Sequence, residues 1–246
     1  LKMGNCLVMY NSRPFYLAFK FLIGSTNNRN ILGAIMGIGL ALIPLIVVLE
    51  ISSGMIEGIT KRYMEVGSYH LQIKSYSGID IDTENELIKK VHSMEGVKSA
   101  FPVSTGLGLA YSQDGRTGIN FKALPADYWD IDTSIKEYIK LESGEFNLET
   151  KDSAMISTEV ARILNVIPGD RIKILTARQV PGRDTVLKPS YLTVRGIFST
   201  GYYELDALSI YINIDKGKTL FTEKESFFIA VKLNEPLENI NNVTDK

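Results

Sequence analysis

Side chains suited to acid–base, nucleophilic or metal chemistry are sparse in this sequence. It has two histidines, His70 and His92, and one cysteine, Cys6, so it holds no His and Cys cluster with metal-ligand spacing. It also lacks the GxxxxGK[ST] pattern of a nucleotide-binding loop and the GxSxG pattern of a nucleophile elbow. We expect His70 on an edge strand and His92 on a solvated helix face. The sequence therefore predicts a chain that is not an enzyme and binds no cofactor or metal of its own.

One concentration of basic residues is suited to binding a partner. Between Arg171 and Arg195 the only acid is Asp184. The basic residues of this stretch are Arg171, Lys173, Arg178, Arg183, Lys188 and Arg195. Its middle, residues 176–189, reads TARQVPGRDTVLKP and contains the turn formers Pro and Gly. It is either a solvated hairpin loop or a projecting loop that docks on a protein. The candidate docking residues are Arg178, Gln179, Pro181 and Arg183.

The charge of the 246-residue chain is divided between two parts of the sequence. The net charge of −1 combines +4 in residues 1–49, which contain no acid, with −5 in residues 50–246. A neutral total excludes a strongly basic nucleic-acid binder, and the aromatic residues do not alternate with basic runs as a nucleic-acid platform requires. Residues 31–49 are uncharged, and as a helix they are about 28 Å long, close to the thickness of a bilayer core.

Residues 31–49 therefore predict a transmembrane helix. A buried core helix would have a polar face, and a cleaved signal peptide would have a shorter apolar region and an A-x-A-like site. The positive-inside rule places residues 1–30 in the cytoplasm and residues from about 55 onward outside. Residues 15–23 predict an interfacial helix with Lys20 at the lipid headgroups, or else a soluble helix packed on a partner.

Within this helix, small residues recur at every fourth position. Gly33, Gly37 and Ala41 form a small-xxx-small face on which another membrane helix can pack. The helical pattern continues to about Gly67, which predicts a stalk beyond the bilayer.

The rest of the chain alternates between strand and helix patterns and predicts an α+β domain. Residues 69–103 indicate a β-α-β unit whose helix has a capping box at Thr83 and Glu86 and ends at Gly96. A second helix is expected from Ser157. Further strands are expected near residues 118–123, 171–175, 191–198, 207–214 and 227–233.

Three segments together resemble a known family. These are NILGAIMGIGLALIPLIVVLEISSGMIEGITKR with VGSYHLQI after it, MISTEVARILNVIPGDRIKIL, and LTVRGIFSTGYYELDALSIYINI. They are similar to the first membrane helix and outer domain of FtsX-like ABC transporter permeases of the MacB/LolC/LolE type. Matches to the lipoprotein-releasing LolC/LolE branch are Gly196, Ile197, Phe198, Gly201, Glu204 and Asp206.

The resemblance implies an inner-membrane permease with a periplasmic domain, of which this sequence is an N-terminal portion. Residues 1–30 are then cytoplasmic, and residues 31–66 form the membrane helix and stalk. Residues 69–105 and 226–246 form a porter-like subdomain, and residues 106–225 form a sabre-like one. The implied partners are an ABC ATPase subunit that binds the ATP, a second permease copy or paralogue, membrane lipid, lipoprotein cargo and a periplasmic lipoprotein chaperone.

The resemblance also suggests where cargo and chaperone bind. In the lipoprotein-releasing branch a hook-like loop on one of the two permeases grips the chaperone, and residues 176–189 lie at the matching place. The partner permease of that branch lacks a working hook, so the resemblance fits either kind of permease. Residues expected to face lipid or cargo are Val47, Val48, Ile51, Met55 and Ile56. The alternative, which is equally compatible with the sequence, is that these five residues pack against other membrane helices and contact neither lipid nor cargo. Alternative functions are peptide or drug export, mechanical signalling to cell-wall hydrolases, or, more remotely, a single-span sensor.

Overall fold

The structure is a computed structural model that describes residues 28–74, 81–178, 186–220, 227–234 and 236. It divides into two units, Leu1–Gly58 and Ile59–Lys246. In the first unit, the described residues belong to helix α1 (Asn28–Arg62), and its side chains from residue 33 to residue 58 are all exposed. The segment Gly33–Ser68 is long and apolar enough to cross a membrane. The predicted apolar helix is therefore confirmed, and its insertion into a bilayer stays a prediction.

The second unit combines strands with short helices. Its strands are β1 (Leu71–Ile73), β2 (Val97–Tyr111), β3 (Arg116–Leu124), β4 (Lys140–Gly144), β5 (Ser153–Ser157), β6 (Arg171–Arg178), β7 (Val186–Ser199), β8 (Ser209–Asn213) and β9 (Phe227–Leu233). After α1 comes a π-helical segment (Tyr63–Ser68), followed by helices α2 (Ile81–His92), α3 (Tyr128–Ile131), α4 (Ile135–Tyr138), α5 (Thr158–Leu164), α6 (Tyr203–Asp206) and α7 (Ile214–Leu220). The fold class is α+β, as predicted.

The described strands form one hydrogen-bonded sheet in the order β1-β9-β2-β3-β8-β5-β7-β4, and β6 joins β2 to β7. Strands β1 and β2 are both antiparallel to β9, so they are parallel to each other with β9 between them. Helix α2 connects β1 to β2, and its Leu87 and Ile88 pack against Val231 and its neighbours in the core. The predicted β-α-β unit is confirmed, with a strand from the other end of the sequence inserted into it.

Helix α5 begins where its sequence indicates. The Ser157 hydroxyl accepts a hydrogen bond from the Val160 amide at 3.3 Å, which caps one of the unpaired N–H groups of the first turn. The helix ends at Leu164 and is capped by Asn165, whose φ of 51° lies in the left-handed region that Asn tolerates. Val160, Ala161 and Leu164 pack into the main core.

Several predicted boundaries were wrong. The strand expected at residues 97–103 continues to Tyr111, because β2 pairs first with β9 and then with β3 and β6. The loop expected at residues 176–189 has strand at both ends, because β6 and β7 stay paired up to Arg178 and Val186. Strand β2 also passes through the expected porter–sabre boundary at residue 105, and that subdomain division stays a prediction.

Helix α7 packs so closely on strand β3 that only glycine fits at one position. A Cβ added at Gly217 would lie 2.3 Å from the Cβ of Ala123, well inside van der Waals contact. We expect Gly217→Ala to lower the free energy of unfolding by about 2 kcal/mol, because the helix must move off the strand. Denaturant unfolding measures this. Gly118→Ala is the matched control, since no atom lies within 4 Å of that Cβ position. Equal stability of the two variants would contradict the prediction.

Candidate functional site

The residues expected to face lipid or other helices all lie on the exposed surface of α1. The exposed fractions of Val47, Val48, Ile51, Met55 and Ile56 are 49%, 59%, 64%, 63% and 66%. Gly33 and Gly37 have no atom within 4 Å of a Cβ position, and Ala41 is exposed. This surface is therefore open for a helix, a lipid or a cargo molecule, and which of them it contacts stays a prediction.

The expected docking loop lies largely outside the described residues. Arg178 is the last residue of β6, and the backbone of Val186 pairs with it. Gln179, Pro181 and Arg183 are outside the described residues, so their docking role stays a prediction.

The structure brings together ionisable and hydroxyl side chains that lie far apart in the sequence. They surround the π-helical segment and the residues just after it, within the second unit. We call them the stalk-end cluster: Glu65, Tyr69, His70, Lys122, Asp132, Ser134 and Lys232. They come from the stalk end, from strands β3 and β9, and from the α3–α4 connection.

Lys232 is the ionic centre of the stalk-end cluster. Its side chain is 0% exposed, and its ammonium lies 2.5 Å from Asp132 Oδ2 and 2.8 Å from Glu65 Oε2. Ser134 donates to Asp132 Oδ1 at 2.6 Å, and Tyr128 donates to Asp132 Oδ2 at 3.1 Å. A buried charge is tolerated only when it is paired and hydrogen-bonded, and both carboxylates meet that condition through Lys232. The cluster thereby ties the stalk end to two distant parts of the chain.

Lys122 holds the backbone of the π-helical segment directly. Its ammonium donates to the carbonyl oxygens of Val66 and of Gly67, the latter at 2.7 Å. These are end-of-helix carbonyls, which have no partner within the helix. The same ammonium lies 5.2 Å from the centre of the Tyr69 ring, a cation–π distance.

Tyr69 ends the stalk in an unusual backbone conformation. Its φ of 62° and ψ of 172° lie in a backbone region that residues other than glycine rarely adopt. Adopting it costs about 1–3 kcal/mol. The ring is 4% exposed and packs edge-on against Phe101 at 5.4 Å. His70 follows, accepting from the Leu233 amide through Nδ1 at 2.8 Å and placing Nε2 3.4 Å from Glu65. Aromatic packing and the β9 backbone thus hold this backbone conformation in place.

Arg62 forms a second attachment, one turn before the cluster. Its guanidinium donates to the Thr200 carbonyl and lies 5.0 Å and 5.9 Å from the ring centres of Tyr202 and Tyr138. The turn that presents Thr200 is tight, since Gly201 has a φ of 75° and a Cβ there would be 2.9 Å from the Arg62 guanidinium. A glycine is therefore required where the turn meets the arginine.

The Asp206 carboxylate organises that turn. It is buried and accepts from the Thr200 amide at 2.9 Å, from the Thr200 hydroxyl at 2.8 Å and from the Ser199 hydroxyl at 2.8 Å. The Gly201 and Asp206 positions that carry the family resemblance thus have a local role: they hold the carbonyl that Arg62 binds.

This site is suited to holding a helix end. Its two carboxylates both face Lys232 at ion-pair distance, and no group of three potential metal ligands exists among the described residues. A cleft of about 510 Å³ beside Arg62 is lined by groups of both charges, including Lys136, Glu137 and Glu142.

The sequence contains one signal of this arrangement. Lys232 interrupts the apolar strand FFIAVKL, where a lysine is costly unless it is paired. Its carboxylate partners are 167 and 100 residues away, so the sequence does not reveal them. His70, expected on an edge strand, instead lies just before β1 within the cluster.

Burial, together with the nearby positive charge of Lys232, lowers the pKa of Lys122 to about 7. In the unfolded chain a lysine keeps its proton to about pH 10.4, so above pH 7 raising the pH favours the folded state. We expect the stability of wild type relative to Lys122→Met to be constant below pH 7. Above it, the difference should rise by up to about 1.4 kcal/mol per pH unit. Denaturant unfolding of both proteins from pH 6 to pH 9 measures this, and a difference that is flat or falls above pH 7 would disprove it.

No family model and no curated protein matches the chain. Among solved structures, the extracellular domain of the noncanonic ABC-type transporter YknZ from Gram-positive bacteria is 16% identical, with a TM-score of 0.45 over 70% of this chain and 86% of that one. The periplasmic region of MacB from Actinobacillus actinomycetemcomitans is 15% identical, with a TM-score of 0.45 over 73% and 75%. A domain of a putative permease protein from Porphyromonas gingivalis is 13% identical, with a TM-score of 0.43 over 71% and 69%.

Proposed function

We propose that this chain is the permease subunit of an ABC transporter, with its N-terminus in the cytoplasm and its α+β domain outside the inner membrane. One observation carries the proposal: a single helix, α1, contains the uncharged apolar segment and also Arg62, which binds the outer domain. A helix that only anchors a domain needs no such attachment. A helix that transmits motion does, because an unattached end would swing freely.

The attachments suggest how motion would pass into the domain. A separate subunit binds and hydrolyses ATP in the cytoplasm and shifts the membrane helices. Arg62 then acts on the turn at Thr200, while Glu65 and the carbonyls of Val66 and Gly67 act on β9 and β3 through Lys232 and Lys122. Ionic contacts shielded from water resist displacement better than exposed ones, so movement of the stalk end would move the sheet.

For the cargo, we propose lipoproteins, extracted from the membrane and passed to a periplasmic chaperone. The support is the sequence resemblance to the LolC/LolE branch, together with the exposed apolar surface of α1 at residues 47–56. An apolar wall is what acyl chains require. The second candidate is MacB- or FtsX-like export of peptides or drugs, or signalling to cell-wall hydrolases. Because Gly201 and Asp206 serve the Arg62 attachment, those two positions are equally compatible with either cargo.

Co-purification tests the permease assignment. The full-length protein, solubilised from its native membrane, should bring down an ATP-binding subunit and hydrolyse ATP in nanodiscs. Arg62→Ala should keep that complex together while weakening the dependence of ATP hydrolysis on cargo. The proposal would be contradicted if the protein purified without an ATPase partner, or if its chain continued into a kinase domain.

In-cell photo-crosslinking tests the cargo assignment. A crosslinker placed at Arg178 or Arg183 should capture a periplasmic lipoprotein chaperone. Crosslinks only to a cell-wall hydrolase or to an outer-membrane channel adaptor would exclude lipoprotein release and support the second candidate. The ATPase co-purification is independent of this result.

A further inference from the structure

Strands β3, β2, β6 and β7 present one face of the sheet to solvent. Cross-strand pairing aligns their side chains in rows. One row is formed by Arg116, Tyr111, Lys173 and Tyr191, and the next by Gly118, Leu109, Leu175 and Pro189. We call these eight residues, with Leu107 and Arg171 beside them, the outer face. The opposite side of the same strands is core, where Ala110, Ile119 and Ile174 are at most 2% exposed.

The outer face exposes large apolar side chains. Leu107 is 75% exposed, Tyr191 is 52% exposed and Leu109 is 47% exposed. A polar residue at any of these three positions would leave the packing of the core unchanged, because the side chains point away from the core. Apolar groups gathered on one surface are typical of binding sites, whereas scattered ones need no explanation.

The charge of the outer face has one sign. Arg116, Arg171 and Lys173 are basic, and none of the outer-face residues is an acid. In the part of the chain that the structure describes, none of these three forms an ion pair. The nearest acids along the sequence are already engaged: Asp114 accepts from the Asn165 amide group and Asp170 from the Ile167 backbone amide.

A recess of about 250 Å³ opens at the basic end of the outer face. It is lined by Tyr111, Ser112, Gln113, Arg171, Lys173 and Tyr191. Arg171 lies over the Tyr191 ring at 5.5 Å, which holds the guanidinium in place. Two cations between two tyrosine rings suit a carboxylate on a side chain that inserts from outside.

We propose that the outer face is a docking surface for an acidic protein segment that also carries apolar side chains. A carboxylate of the segment enters the recess between Arg171 and Lys173, and its apolar residues cover Leu109 and Leu107. A symmetric contact with a second copy is disfavoured, because it would bring the same cations against each other. A flat anionic bilayer would satisfy the charge but leave the recess unfilled.

This surface is defined by the sheet alone and does not depend on the chain being a transporter subunit. The test is photo-crosslinking in cells that express the full-length protein with p-benzoylphenylalanine at Leu109 or at Tyr191. Leu208 is the matched control position, since it is 46% exposed and lies outside the outer face. We expect adducts from Leu109 and Tyr191, but not from Leu208, on protein segments in which Asp or Glu lies within a few residues of the attachment point.

Charge reversal distinguishes specific docking from collision. The double variant Arg116→Glu/Lys173→Glu should lower the adduct yield at least fivefold and leave the unfolding midpoint unchanged. Lys98→Glu/Lys151→Glu, which reverses two exposed lysines elsewhere, should leave the yield unchanged. The proposal is overturned by adducts only to phospholipid or only to this chain, by a yield no higher than at Leu208, or by a yield that charge reversal does not affect.

Discussion

Lys232→Met is expected to lower the free energy of unfolding by about 3–5 kcal/mol, the largest effect of any substitution considered. Lys232 is fully buried between Asp132 and Glu65, at 2.5 Å and 2.8 Å. Methionine fills a similar volume but leaves the buried Asp132 carboxylate and the partly buried Glu65 carboxylate without this cation. Removing one partner of a buried ion pair costs far more than the pair contributes, because the remaining charge keeps its desolvation penalty. Denaturant unfolding of the full chain in detergent measures the loss.

Two further variants separate this effect from general loss of a lysine. Lys140→Met removes an exposed pair with Glu142 and should cost less than about 1 kcal/mol. Adding Asp132→Asn to Lys232→Met should recover part of the loss, since one uncompensated charge then disappears. A cost for Lys232→Met no greater than that for Lys140→Met would show that the buried network is not ionic in the folded protein.

Asp206→Ala is expected to lower the free energy of unfolding by about 2–4 kcal/mol, because hydrogen bonds to a charged group contribute about 1.5–3 kcal/mol each and do not add fully. The carboxylate accepts from the Thr200 amide, the Thr200 hydroxyl and the Ser199 hydroxyl, and alanine replaces none of these bonds. The turn that binds Arg62 should then loosen. Faster hydrogen exchange at the Thr200 amide is the local readout, and denaturant unfolding is the global one.

Matched variants identify the cause. Glu204→Ala removes an exposed acid from the same short helix and should change stability by less than about 0.5 kcal/mol. Asp206→Asn keeps one acceptor oxygen and should fall between wild type and Asp206→Ala. If Asp206→Ala destabilised the protein while the exchange of the Thr200 amide stayed slow, the turn would be held by other contacts.

Some features follow from local sequence alone. The apolar run at residues 31–49 lies within one continuous helix, α1, as its uncharged sequence predicts. The helix continues through Pro44. Helix α5 begins at its Ser157 cap because capping involves residues three apart. By contrast, β5 was missed: its five residues, SAMIS, are all buried and show no alternation between polar and apolar residues.

The sequence by itself determined the division of charge, the apolar helix, the β-α-β unit and the absence of known catalytic motifs, since each depends on neighbouring residues. Only the tertiary structure decided what Lys122, Lys232, Asp132 and Arg62 do. As sequence they are ordinary charged residues, and ion pairing acts over a few ångströms in space without regard to distance along the chain. The outer face has the same origin, because strand register aligned its basic and apolar residues on one surface.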